Sequence, residues 1–357
     1  MAADLLFTGG AVFTGSGDPL TGYAVAVTGG RISAVVPEAE ADALVGSTTR
    51  RIVLEGALLS PGFQDAHVHP VGAGVELLQC NLTEAGNADE AVATVAAYAA
   101  AYSEEEWILG GGWSMDHFPG GSPSRALLDA IVPDRPVFLM SRDHHSAWAN
   151  TEAIRRAGID AATPDPEDGR IEREADGFPA GTFHEGAGGL FSAVKPATDG
   201  ELAYRGLLRA QEELLALGIT GWQDAWVGDE GAEMGSRDVY LSRRDERRDS
   251  GSAERFELGT VKMMVDGVAE NFTASMIDPY RDARGHDTCN HGISFIDAET
   301  LREAVVRLDA AGMQVHFHAL GDRAVTDALD ALEHAARING DRGLRHHLAH
   351  LETVAQP

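Results

Sequence analysis

Residues Pro61–Pro70 read PGFQDAHVHP, directly after the apolar run Ala57–Ser60. Apolar approach, then His67 and His69 one residue apart, is the pattern of a strand that ends in a site. Successive side chains of a strand point to opposite faces, so residues i and i+2 share one. His67 and His69 therefore project together, away from Val68. Two neutral imidazoles converging at a strand end suit a divalent ion such as zinc. Two ordinary surface histidines would read the same way, so the rest of the chain must decide.

Upstream, residues 1–59 read as short alternating runs broken by glycine turns: LLFTGGAVFTG, YAVAVTGGRISAVV and RRIVLEGALLSPG. They predict hairpins of a small β-rich domain. Downstream, residues 60–357 alternate helical and strand-like patterns. ADEAVATVAAYAAAY, SRALLDAI, NTEAIRRAG, ELAYRGLLRAQEELLALG, TLREAVVRLDAAG and RAVTDALDALEHAARI read as helices. EWILGGGW, RPVFLMSRD, GITGWQDA, GTVKMMVDG, MQVHFHALGD and RHHLAHLE read as strands. Such alternation predicts an α/β fold with a parallel sheet, most simply a (β/α)8 barrel. The stretch Val227–Arg255 is densely charged and reads as loop.

Composition narrows the partners. A formal net charge of −28 opposes nucleic acid and anionic membranes as partners. Lys195 and Lys262 are the only lysines. Two cysteines cannot make a disulfide framework; with no basic leader and no long apolar run, a cytoplasmic protein is expected. Homo-oligomerisation is left open.

Three further sites join the histidine pair. Lys262 lies inside the apolar run TVKMMVDG, where a charge is costly unless removed or paired. QVHFHALGD repeats the HxH pattern with His316 and His318, and RHHLAHLE carries His350 near its end. All fall where barrel strands should finish, the end at which barrel active sites are built.

This order (HxH, strand lysine, strand histidine, strand histidine) resembles the amidohydrolase superfamily, in the branch that includes N-substituted formamide deformylases. PGFQDAHVHP, WILGGGW, PDRPVFLMSRDHHSAWAN, DGRIEREADGFPAGTFHEGA, GITGWQDA, VKMMVDGVAENFTA, VHFHALGDRAV and RHHLAHLE carry the likeness. The resemblance implies a small β-sandwich domain packed on a distorted barrel. It implies that His67, His69, His318 and His350 ligate one or two divalent ions, zinc foremost, with Lys262 as a CO₂-derived carbamate ligand. His316, one step from His318, is read as a packed core residue. Glu185 matches a bridging or substrate-facing acid, and His145 a histidine near the substrate. His144 stands where the branch has glycine, which puts the local loop in question. The resemblance also implies a small-molecule substrate, and the implied reaction is hydrolysis of its C–N bond by metal-activated water.

The same resemblance leaves parts unmatched. No apolar third strand is found within Val227–Arg255, and nothing after His350 matches strands seven and eight or their proton-shuttling aspartate. The sequence therefore predicts an incomplete barrel and a chain that turns over slowly alone. Asp224, Asp266 and Asp322 lie near strand ends but match no such role. Two other readings share the ligands: a non-catalytic metal-binding remnant, and a cyclic-amidine or nucleobase deaminase.

Overall fold

A computed structural model describes residues 2–227, 240 and 259–354. It is α/β and divides into two compact units, Met1–Asp65 with Leu214–Trp222, and Ala66–Glu213 with Gln223–Pro357. Apart from Val227 and Tyr240, the stretch up to Arg255 read as loop lies outside the described residues.

In the first unit, β1 (Leu5–Thr8), β2 (Ala11–Val12), β3 (Tyr23–Thr28), β4 (Arg31–Pro37), β5 (Arg50–Val53) and β6 (Leu58–Leu59) are short, as the broken alternation predicts. A four-stranded sheet runs β4-β3-β1-β5, and β2 pairs with β6. Gly29 and Gly30 join β3 to β4 with φ of 59° and 74°. A two-residue turn with both residues left-handed matches strand twist, and glycine adopts it without a Cβ clash. Leu6, Ala24, Ala26 and Ala41 fill a small core beneath a 3₁₀ turn at Glu38–Leu44. That turn was not read in the sequence.

β7 (Phe63–Val68) pairs with β14 (Ile219–Asp224). β7 gives way at once to α1 (Pro70–Leu78), with proline in its first turn. Pro70 fits there because that position needs no N–H donor.

The second unit holds two larger sheets. β8 (Cys80–Asn81), β9 (Ile108–Trp113) and β10 (Val137–Ser141) run parallel, linked by α2 (Ala88–Ala101) and α3 (Arg125–Asp129). Gly110 permits the tight β8–β9 approach, since a Cβ there would lie 2.1 Å from the Cys80 carbonyl oxygen. β11 (Ser146–Ala149), β12 (Gly169–Arg173) and β13 (Pro179–Glu185) then continue antiparallel, giving the order β12-β13-β11-β10-β9-β8. Here the structure departs from strict strand–helix alternation. Only Arg142–His145 separate β10 from β11, too few residues for a crossover. Trp113, Leu139 and Trp148 anchor one apolar cluster, and Phe138, Phe183 and Phe191 another.

After α4 (Thr151–Arg156) and α5 (Gly200–Ala216), β15 (Thr260–Met264), β16 (Gln314–Ala319) and β17 (His347–His350) form a parallel sheet. α6 (Ala298–Ala310) and α7 (Asp322–Asn339) make its crossovers. Asp297 caps α6 by accepting from Glu299 N and Thr300 N. Leu301, Val305, Val315, Phe317 and Val325 pack between helices and sheet. Among the described residues the strands form separate sheets and do not join into one.

Candidate active site

The second unit encloses a cavity of about 1290 Å³. The residues to which the sequence reading gave a site role all line it: His67, His69, His145, Glu185, Lys262, His318 and His350. Strands supply most of them: His67 and His318 are penultimate in β7 and β16, His350 and Glu185 are the last residues of β17 and β13, and Lys262 stands in the middle of β15. His69 is the first residue beyond β7, yet its ring stays 5.1 Å, centroid to centroid, from His67. His350 lies 4.6 Å from His67 and 4.5 Å from His318 on the same measure. Lys262 Nζ lies 3.2 Å from His67 Nε2.

Burial keeps these imidazoles neutral. It lowers His67 and His69 to about 3, with Lys262 reinforcing the effect. His318 is lowered to about 2 and His350 to about 4, again first by burial. Lys262 is lowered to about 8 by burial, which Asp224 partly opposes. A neutral imidazole keeps the lone pair a metal needs. His69 Nδ1 is buried and has no hydrogen-bond partner among the described residues. His318 donates from Nε2 to the Gly267 carbonyl at 3.2 Å, which turns its lone pair to Nδ1. The donor set therefore fits a divalent cation in type. No three His, Cys, Asp or Glu side chains form a finished cage among the described residues, and His67 Nε2 is turned toward Lys262.

A second group stands just before β11 and at the end of β13. His145 Nδ1 lies 2.9 Å from Glu185 Oε2, and Glu185 Oε1 accepts from Thr273 Oγ1 at 2.7 Å and Asn271 Nδ2 at 3.0 Å. Burial alone would raise Glu185, but the His145, Asn271 and Thr273 donors hold it below its ordinary value. Burial likewise opposes protonation of His145, and Glu185 outweighs it, so that ring is raised. Both carboxylate oxygens are thus committed to protein donors, and the acid stands behind His145.

His144, where the family pattern has glycine, adopts φ 64°. The loop keeps the left-handed shape that glycine would take. The sequence reading missed Glu76, which lines the cavity from α1 with Oε1 3.5 Å from His144 Nδ1. It also left His316 as packing. That residue is indeed buried, but it bonds to His67 and to Gln223. The repeated HxH was the available signal, read on one member only. Lys195 lines the cavity too, so both lysines of the chain meet there.

The Amidohydrolase family profile (Amidohydro_3) matches residues 52–357. The chain belongs to the amidohydrolase family. Protein LONG AFTER FAR-RED 3 of Arabidopsis thaliana is 31% identical, the match covering 99% of this chain and 65% of that protein. An N-substituted formamide deformylase of Arthrobacter pascens is 28% identical over 90% of this chain and 64% of its own length. The chain thus spans just under two thirds of each of these relatives. In fold it is similar to an uncharacterized metal-dependent hydrolase from Pyrococcus horikoshii OT3, with a TM-score of 0.65 at 22% identity, over 96% of this chain and 74% of that one. Among the described residues no helix is long and apolar enough to cross a membrane.

Proposed function

We propose that this amidohydrolase carries a metal-dependent site that hydrolyses a C–N bond of a small N-acyl or formamide-like molecule. The observation that carries the reading is the meeting of His67, His69, His318, His350 and Lys262 at one cavity, with the imidazoles held neutral. In this reading, residues 1–59 contribute to a small β-sandwich and residues 60–357 to a barrel of the family's type. The four histidines would hold one or two divalent ions, zinc foremost, and Lys262 would join them as a carbamate. When bound, such an ion supplies Lewis acidity, polarising a carbonyl and acidifying water.

The remaining work falls to the chain's own groups. Glu185 holds the His145 proton on Nδ1, so Nε2 is the nitrogen left to take a proton and deliver it to the departing amine. That dyad gives the site a proton carrier already in place. The resemblance to a formamide deformylase favours formyl or short acyl groups as the part cleaved.

The test is the purified chain loaded with zinc and bicarbonate, assayed for metal content and on a panel of formanilides and N-acyl amines. Stoichiometric zinc and release of formate or carboxylate are expected. Ammonia release instead would indicate a deaminase, and bound zinc without turnover a metal-binding remnant. Zinc retained at wild-type affinity by the His67→Ala, His69→Ala double variant would overturn the site.

A further inference from the structure

Behind the cavity lies a row of side chains that the proposed chemistry does not use. His316 sits fully buried on β16, in register with Lys262 on one side and His347 on the other. Its Nε2 lies 2.8 Å from His67 Nδ1, and its Nδ1 lies 3.1 Å from Gln223 Nε2. At the other end of the row, Lys262 Nζ lies 3.2 Å from His67 Nε2.

Donor and acceptor capacity determines how the protons are arranged. An ammonium has donors and no acceptor, so His67 Nε2 must accept from Lys262. The single ring proton of neutral His67 is then on Nδ1 and is donated to His316 Nε2. His316 in turn carries its own proton on Nδ1. It can donate that proton only to an oxygen, so this arrangement requires the Gln223 amide with its two ends exchanged, Oε1 in place of Nε2 toward the ring; the two ends are isosteric, and the Lys262 ammonium selects between them. The reverse arrangement would set an N–H of His67 against the ammonium, donor against donor.

From this geometry we propose that His316 is a positioning residue. With Gln223 it holds His67 in the Nδ1–H tautomer and keeps the Nε2 lone pair on the side of Lys262 and the cavity. The proposal rests on the metal-site reading for its purpose, since Nε2 is then the ligating atom. A ligating histidine whose second nitrogen is held gains orientation and basicity, and loss of such a partner typically costs about 10- to 100-fold in metal affinity. Residue 316 is thereby more than core filler, because an apolar side chain of its size would remove the ring nitrogen that lies 2.8 Å from His67 Nδ1.

The test uses the full chain labelled with ¹⁵N-histidine, read by long-range ¹H–¹⁵N spectra without metal and by zinc competition against a chromophoric chelator. In the wild type, the ring signals lost on His67→Ala should show the Nδ1–H pattern. In His316→Leu those signals should drift toward the Nε2–H pattern, and zinc affinity should fall about 10- to 100-fold. His316→Gln supplies an amide oxygen and should restore both. An Nε2–H pattern for His67 in the wild type would overturn the proposal, as would unchanged tautomer and affinity in His316→Leu. If His316→Leu does not fold, Gln223→Leu carries the test: a drift of the His67 signals supports the proposal, and none refutes it. A wild type that binds no zinc would defeat the metal-site reading, while the tautomer pattern would still decide the role of His316.

Discussion

Glu76 shows how one side chain records the environment of the cavity. Burial pushes its carboxyl up to about 8, which Lys195 only partly offsets. Because the folded pKa lies above the unfolded one, stability is fully present below about pH 4.5 and is lost as pH rises toward 8. Glu76→Gln keeps the shape and removes the ionisation. It should raise the melting temperature at pH 8 and leave it unchanged at pH 4.5; an equal effect at both would exclude desolvation as the cause. His144 makes a separate point, through backbone and not charge. At φ 64° a histidine is tolerated, whereas a β-branched residue is not. His144→Val should cost about 1–2 kcal/mol in denaturant unfolding, and His144→Gly should cost far less.

At the scale of elements, Asp266 ties the ends of two strands together. Its carboxylate is buried and accepts from Leu320 N at 3.0 Å, Gly321 N at 2.8 Å and Ser275 N at 2.9 Å. Those bonds join the end of β15 to the turn between β16 and α7, and so set Lys262 relative to His318. Asp266→Ala leaves three buried N–H groups unsatisfied, each costing about 1–3 kcal/mol. The variant should unfold at clearly lower denaturant and bind zinc more weakly; normal stability would show that the loop finds other acceptors. The strands that carry the site were legible because His67, Lys262, His318 and His350 are polar interruptions of apolar runs. Helices were legible from amphipathic spacing; their side-chain caps, Asn87, Asn150 and Asp297 accepting from first-turn amides, are added by the structure. The antiparallel block was not legible. β11 is buried along its whole length and shows no alternation, while β12 carries two arginines and a glutamate at the sheet edge. The engagement of His316 was also hidden, because it depends on cross-strand register and on Gln223, 93 residues away.

For the molecule as a whole, protons and metal should compete for the same imidazoles. His67, His69 and His316 are lowered to about 3, chiefly by burial, against 6.5 in their unperturbed form. Between those values the unfolded chain binds more protons than the folded one, so stability of the metal-free chain is lost as pH falls from about 6.5 toward 3. Zinc acts in the opposite direction. A ligand at 100 times its dissociation constant adds about 2.7 kcal/mol if it binds only the folded state, and each kcal/mol shifts melting by about 2–4 °C in a domain of 150–250 residues. Zinc at pH 7.5 should therefore raise the melting temperature by about 5–10 °C on that basis. EDTA should reverse the gain, and the gain should shrink below pH 6 as ligand protonation competes with the ion. The control is the His67→Ala, His69→Ala chain, in which the zinc-dependent rise should vanish while the melting temperature without metal stays measurable. An equal rise in that variant would place the ion elsewhere on this acidic surface, and the cavity would lose its claim to be the metal site.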